Sequence, residues 1–230
     1  MKQLQTIGIV LARTNYGEAD RIITVLTPYS GKLRLMARGV RKANSKVAGG
    51  IELFSVSDIT YIQGRGEIGT LFSARLRTHY GRIIGNIERV QLGYDLIKML
   101  NKATEDQPEA EYFGLLEQIF VALDDNQIDA QLVRLWFECQ LLRQSGYTPN
   151  LKTDTGGRML DAKQNYNFDI DFMAFTPHSS GQFKAYHIKT MRLLFSRTLP
   201  SNLAQVQGIN MAIDELAPLT YSILRANVRV

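Results

Sequence analysis

The sequence predicts an α+β protein of more than one domain. A small five-stranded β-barrel comes first, followed by an all-α helical domain with an irregular insert. Three observations carry this. Residues 1–80 are short runs of Ile, Val, Leu, Thr and Phe bounded by turn residues. From residue 81 the apolar residues recur at spacings of three and four. Residues 150–186 lose regular spacing before the helical period returns.

The expected strands are Thr6–Arg13, Asp20–Leu26, Lys32–Arg38, Ile51–Gln63 and Glu67–Thr78. They are separated by Asn15-Tyr-Gly17, Pro28-Tyr-Ser-Gly31, Gly49-Gly50 and Gly64-Arg-Gly66. Five strands suit a closed or half-closed barrel better than a fragment of a two-layer sandwich. The first helix is expected along Ile83, Ile87, Val90, Tyr94, Ile97 and Met99/Leu100. Pro108 fits the first turn of a second helix that runs to about Leu123. Ile128, Leu132, Leu135/Trp136, Cys139 and Leu142 mark a third, stopped by Gly146 and Pro149. Helical spacing returns at Ile188–Phe195 and again from Leu203 to Asn227, where Pro218 is expected to split or kink the helix. The domain boundary is placed between residues 80 and 81, giving domains 1–80 and 81–230.

The chain of 230 residues carries net charge +5, unevenly distributed. Residues 1–80 hold 12 Lys and Arg against 5 Asp and Glu, whereas residues 81–230 hold 15 against 17. Such asymmetry suggests a polyanionic partner for the N-terminal part. The lone cysteine, Cys139, precludes an intrachain disulfide and fits a reducing compartment. Ile7–Ala12 is too short for a signal peptide, and no apolar run is long enough to span a bilayer, so a cytoplasmic location without membrane contact is expected.

Motifs for catalysis or metal binding are weak. Gly64–Gly69, "GRGEIG", matches a dinucleotide fingerprint, but strands on both sides make it a hairpin turn. His79, His178 and His187 are scattered, and Cys139 reads as a core residue. Asp169 and Asp171 straddle Ile170 at strand spacing, yet no partner turns them into an acid–base or metal pair. No enzyme, metal or cofactor is expected.

The informative stretch is "GKLRLMARGVRKANSK", residues 31–46: six cations and no acid. On a strand, Lys32, Arg34 and Arg38 share the outer face while Leu33, Leu35 and Ala37 enter the barrel. Arg41, Lys42 and Lys46 extend that face along a loop. Arg75 and Arg77 share a face of the last strand, opposite Phe72, Ala74 and Leu76. These eight residues are the candidate contacts for a polyanion. Tyr16, Tyr29 and Tyr61 are candidates for stacking on bases. In the helical domain Arg192, Arg197, Arg225 and Arg229 could add contacts, although helix-surface solvation accounts for them.

"YGEADRIITVLTPYSGKLRLMARGVRKANSKVAGGIELFS" (residues 16–55) resembles the N-terminal domain of the RecO family of bacterial recombination mediators. "LLRQSGYTPNL" (residues 141–151) is similar to the family's helix end ahead of its central insert. The resemblance implies an OB-fold barrel, a helical C-terminal domain and no turnover. It implies binding of single- and double-stranded DNA, annealing of complementary strands and help in loading recombinase on DNA coated by single-strand-binding protein. The implied partners are RecR and the C-terminal tail of single-strand-binding protein. Many relatives carry four zinc-binding cysteines in the insert. The first pair of positions here falls near Thr153/Asp154 and Gly156/Gly157, so zinc is not expected and Phe168, Phe172 and Phe175 are expected to hold the insert by packing. The alternatives are an adaptor whose basic barrel docks an acidic protein tail, and an RNA-binding OB protein.

Overall fold

The computed structural model describes residues 2–104 and 110–230. The expected position of Pro108 in a helix lies outside them. Strands β1 (Gln3–Tyr16), β2 (Asp20–Leu26), β3 (Lys32–Ala37), β4 (Ser55–Ile62) and β5 (Ile68–His79) close into a barrel of order β1-β2-β3-β5-β4. β1 is long because it serves two neighbours: Gln3 to Ile9 pair with β4, and Ile9 to Tyr16 with β2. A bulge at Leu11 lets it bend from one to the other. β3 and β5 run parallel for only three pairs, Arg34 with Ile68 to Met36 with Thr70.

The parallel ladder is continued by a different device. Where a strand from Ile51 was expected, Ala48–Ile51 forms a 3-10 turn and β4 starts only at Ser55. The turn lies against β5: a Cβ on Gly50 would sit 2.3 Å from the Ala74 carbonyl oxygen. Its Ile51 is fully buried with Val10, Ile23, Leu35 and Ile59. A Gly-Gly pair therefore allows a close approach to β5 instead of starting a strand.

Phe54 then takes a left-handed conformation (φ 58°) and turns its ring away from the barrel interior. It meets Tyr94 and Phe120 edge-on at 5.5 and 5.6 Å. These belong to α2 (Ile87–Ala103) and α3 (Ala110–Asp124), which follow the short α1 (Gly81–Ile84). The expected continuous helix from Ile83 is broken at Gly85–Asn86, because the Asn86 side chain caps α2 by accepting from Glu88 and Arg89 N–H. The buried face of α2 is accordingly Arg89, Gly93, Leu96/Ile97 and Leu100, leaving Ile87 exposed. Gly93 is small because the Phe54 ring rests where its Cβ would be. Arg89 is buried and donates to the Leu123 and Asp125 carbonyls, placing a cation at the C-terminus of α3.

The chain divides into two compact units, 1–126 and 127–230, so the helices that follow the barrel group with it. In the second unit, α4 (Ala130–Gln144) is capped by Asp129 and followed by β6 (Asn150–Asp154), β7 (Tyr166–Asp169) and β8 (Ala174–Pro177). Helices α5 (Ala185–Leu194), α6 (Pro200–Leu203) and α7 (Ile209–Asn227) complete it. Pro218 lies inside α7 without splitting it. Cys139 is fully buried on α4, and burial pushes its thiol pKa up. Burial likewise holds the Glu138 carboxyl above the usual range, against the opposing pull of Arg134 Nε at 3.1 Å.

The insert is more regular than its sequence, for β6, β7 and β8 form a sheet of order β6-β8-β7. Phe175 is its centre, with ring contacts to Phe168, Tyr166 and Phe183 at 5.1 to 6.0 Å. Phe172 is not part of this packing and is 71% exposed. In the turn after β6, the buried Asp154 carboxylate accepts from Gly156 and Arg158 N–H. Asp169 does not pair with Asp171 across a strand face; it accepts the Asp171 and Phe172 N–H groups in the turn that ends β7.

Candidate nucleic-acid interface

Alternation on β3 works as its sequence indicates: Leu35 and Ala37 are buried, and Arg34 is exposed on the outer face. β3 ends at Ala37, so Arg38 opens the loop to Ala48. That loop is fastened to the turn between β1 and β2. Gly39 N–H donates to Asp20 Oδ1 (2.7 Å), Arg41 N–H to the Ala19 carbonyl (2.9 Å) and Arg41 Nη1 to the Gly17 carbonyl (3.2 Å). Gly39 has φ +63°, a backbone region open to glycine at no steric cost. Three hydrogen bonds from consecutive strand ends thus hold Arg38, Arg41 and Lys42 at one edge of the barrel, all exposed.

Lys32 departs from the expected row. It is on the outer face, but its ammonium donates to the Asn101 and Thr104 carbonyls, 2.7 Å each, at the C-terminus of α2. A cation there completes orphan carbonyls and complements the helix dipole. Lys32→Met is expected to cost about 1.5–3 kcal/mol of stability, the worth of a hydrogen bond from a charged group. It should leave the salt dependence of DNA binding unchanged. Thermal unfolding and a salt titration on the same variant check this, and a shallower slope would return Lys32 to the contact set.

Folding also supplies acids that the 31–46 stretch lacks. Glu67 comes within 3.9 Å of Arg34, and Asp58 within 3.9 Å of Arg77, both pairs being largely solvated. Pairs of this kind are weak and exchange readily for another anion. Among the described residues Arg38, Lys42, Lys46 and Arg75 form no ion pair. The 3-10 turn seated on Ala74 makes the end of the basic loop a neighbour of Arg75. Seven of the eight expected cations therefore remain at the surface of one barrel.

The aromatic candidates separate. Tyr61 is 5% exposed and belongs to the core, whereas Tyr16 and Tyr29 are exposed. Phe72 and Leu76, expected inside, are 60% and 44% exposed. For Phe72 the register shift between Thr60 and Tyr61 causes this, because Phe72 has no partner on β4, whereas Leu76, paired with Ser57, keeps the parity of Ala74 and is exposed without a shift. A bulge resets the inside–outside alternation, which a single strand's sequence does not reveal. Arg192, one of the helical candidates, is occupied by the Leu151 carbonyl, 2.7 Å from Nη2.

Among the described residues no group of three or more His, Cys, Asp or Glu side chains is placed to hold a metal ion. "GRGEIG" runs from the turn between the antiparallel β4 and β5 into the first two residues of β5, and is not the entry to a helix. No helix among the described residues is long and apolar enough to cross a membrane.

A closed barrel of this strand order, with a cationic loop beside β3 and helices following β5, defines the OB-fold class of binding proteins. The chain belongs to the RecO family of DNA repair and recombination proteins. The family model described as "Recombination protein O N terminal" matches residues 1–80, and that described as "Recombination protein O C terminal" matches residues 87–224. Among similar proteins, the DNA repair protein RecO of Dehalococcoides mccartyi is 30% identical over 179 residues, 77% of this chain and 67% of its own length. That of Acetivibrio thermocellus is 30% identical over 151 residues, 65% of this chain and 59% of its own. That of Roseiflexus sp. is 28% identical over 228 residues, 98% of this chain and 80% of its own.

Proposed function

We propose that this protein binds single- and double-stranded DNA without sequence preference through the basic edge of its barrel, and that it anneals complementary strands. On this reading it assists recombinase loading on DNA coated by single-strand-binding protein, with RecR and the acidic tail of that protein as partners and no chemical turnover. Family membership supports the setting in DNA repair. One observation carries the contact surface: Arg38, Arg41 and Lys42 are exposed side by side on a loop held to the barrel by three hydrogen bonds. A fixed cationic edge on a backbone-ordered loop suits a phosphate chain, and nothing in it selects a base.

The test is strand annealing followed by fluorescence transfer between labelled complementary oligonucleotides, with and without single-strand-binding protein, across a salt series. Acceleration over the spontaneous rate, lost as salt rises, is expected. No acceleration at low salt, with tight binding of an acidic tail peptide, would replace this reading with an adaptor.

A further inference from the structure

We propose that Phe72 is a stacking platform for an unpaired nucleobase, placed by a β-bulge at the basic edge of the barrel; this rests on the reading of that edge as a DNA-binding surface. The bulge is explicit in the register. Tyr61 pairs with Leu71 and Thr60 with Ser73, so Phe72 has no partner on β4. Leu71 and Ala74 fill the core, while Phe72 stands 60% exposed. Bulges re-aim side chains, and here the one re-aimed is an aromatic with no polar atom to satisfy.

Its position gives the exposure a meaning. The parallel β3–β5 ladder pairs Arg34 with Ile68 and Met36 with Thr70. β3 ends at Ala37, so Arg38, the first cation of the fastened loop, leaves the barrel from the strand that neighbours β5. Arg75 follows three residues later on the same strand, exposed and opposite Asp58 of β4, though among the described residues it forms no ion pair. An isolated exposed aromatic needs no explanation. One that shares β5 with Arg75, next to the strand from which Arg38 leaves, has the two parts that single-strand sites combine, cations for phosphate and a π-face for the base. A duplex keeps its bases stacked on one another and would engage only the cations. Phe72 therefore makes the surface prefer unpaired strands, and it holds one base turned from its neighbours while a complementary strand arrives.

Phe72→Ala is expected to weaken binding of an oligo-dT by roughly five- to hundredfold, the usual range for losing one stacked base. Duplex affinity should stay within about twofold, and the salt slope should not move, since no phosphate contact is lost. Phe72→Trp should retain affinity, and the introduced indole should be quenched by oligo-dT against the background of Trp136, which is 2% exposed. Equal losses for single strand and duplex, unchanged oligo-dT affinity, or a change in self-association by sedimentation would each overturn the proposal. The triple reversal Arg38→Glu/Arg41→Glu/Lys42→Glu, measured in parallel, separates the two ideas. If it loses binding while Phe72→Ala does not, stacking alone is refuted; if it binds normally, the basic edge itself is refuted.

Discussion

Replacing Arg38, Arg41 and Lys42 together with Glu is expected to lower affinity for a single-stranded oligonucleotide by about a hundredfold at 0.1 M salt. Each phosphate contact to a single strand contributes about −0.7 to the slope of log K against log salt, so at 0.1 M three contacts supply about two logarithmic units. Six contacts from the 31–46 stretch would give a slope of about −4. The structure withdraws Lys32, whose ammonium is bonded to the end of α2, leaving five and a slope of about −3.5. In the triple variant only Arg34 and Lys46 remain of that set, so the slope should fall to about −1.4. Arg41→Glu removes one of the three fastening hydrogen bonds, Nη1 to the Gly17 carbonyl, while the two donated by backbone N–H groups stay, so the loss of stability should not exceed the roughly 0.5–1.5 kcal/mol of one such bond. Unchanged affinity with an unchanged slope would remove this loop from the interface. The double variant Arg75→Glu/Arg77→Glu asks whether the surface extends along β5; Asp58 faces both cations, as the β4 partner of Arg75 and 3.9 Å from Arg77, so the pair should matter less than the loop cations.

The second large effect is on stability. Gly50→Ala is expected to destabilise the barrel by about 3 kcal/mol, at the upper end of overpacking costs. The added methyl would meet the Ala74 carbonyl oxygen at 2.3 Å and its carbon at 2.5 Å, and both are backbone atoms of a paired strand that cannot rotate aside. Gly49→Ala is the control: nothing lies within 4 Å of its Cβ, so the change should stay within about 0.5 kcal/mol. Hydrogen exchange of barrel amides is the suitable measurement, because the single tryptophan, Trp136, belongs to the other unit. Relief of the clash by lifting the 3-10 turn would also detach the end of the basic loop from β5. Milder salt dependence should then accompany the lost stability. Equal stability of the two alanine variants would mean that the turn is not seated on β5.

Much of the fold is legible in the residues taken alone. The strand runs, the turn glycines and the switch of period near residue 81 place a barrel ahead of helices, because each reports a local preference of the backbone. The outward row on β3 is legible for the same reason, as period two and charge coincide from Lys32 to Ala37. The lack of acid in residues 31–46 marks the candidate surface before any coordinate is known.

Other features depend on groups remote in sequence. Lys32 differs from Arg34 only in that the α2 carbonyls, some seventy residues away, reach it first. Phe72 and Phe175 are both aromatics in apolar runs; one is displaced to the surface by a strand register and the other is enclosed by three rings. Gly49 and Gly50 are adjacent and chemically identical, yet only the second faces a backbone.

By itself, then, the sequence determined the kind of element at most positions and where positive charge is concentrated, since both are properties of consecutive residues. Only the tertiary structure decided which cations stay free, which aromatic is exposed among them and what holds the basic loop in place. Those follow from register, bulges and helix ends, where a group's partner is set by closure of the chain and not by its neighbours along it.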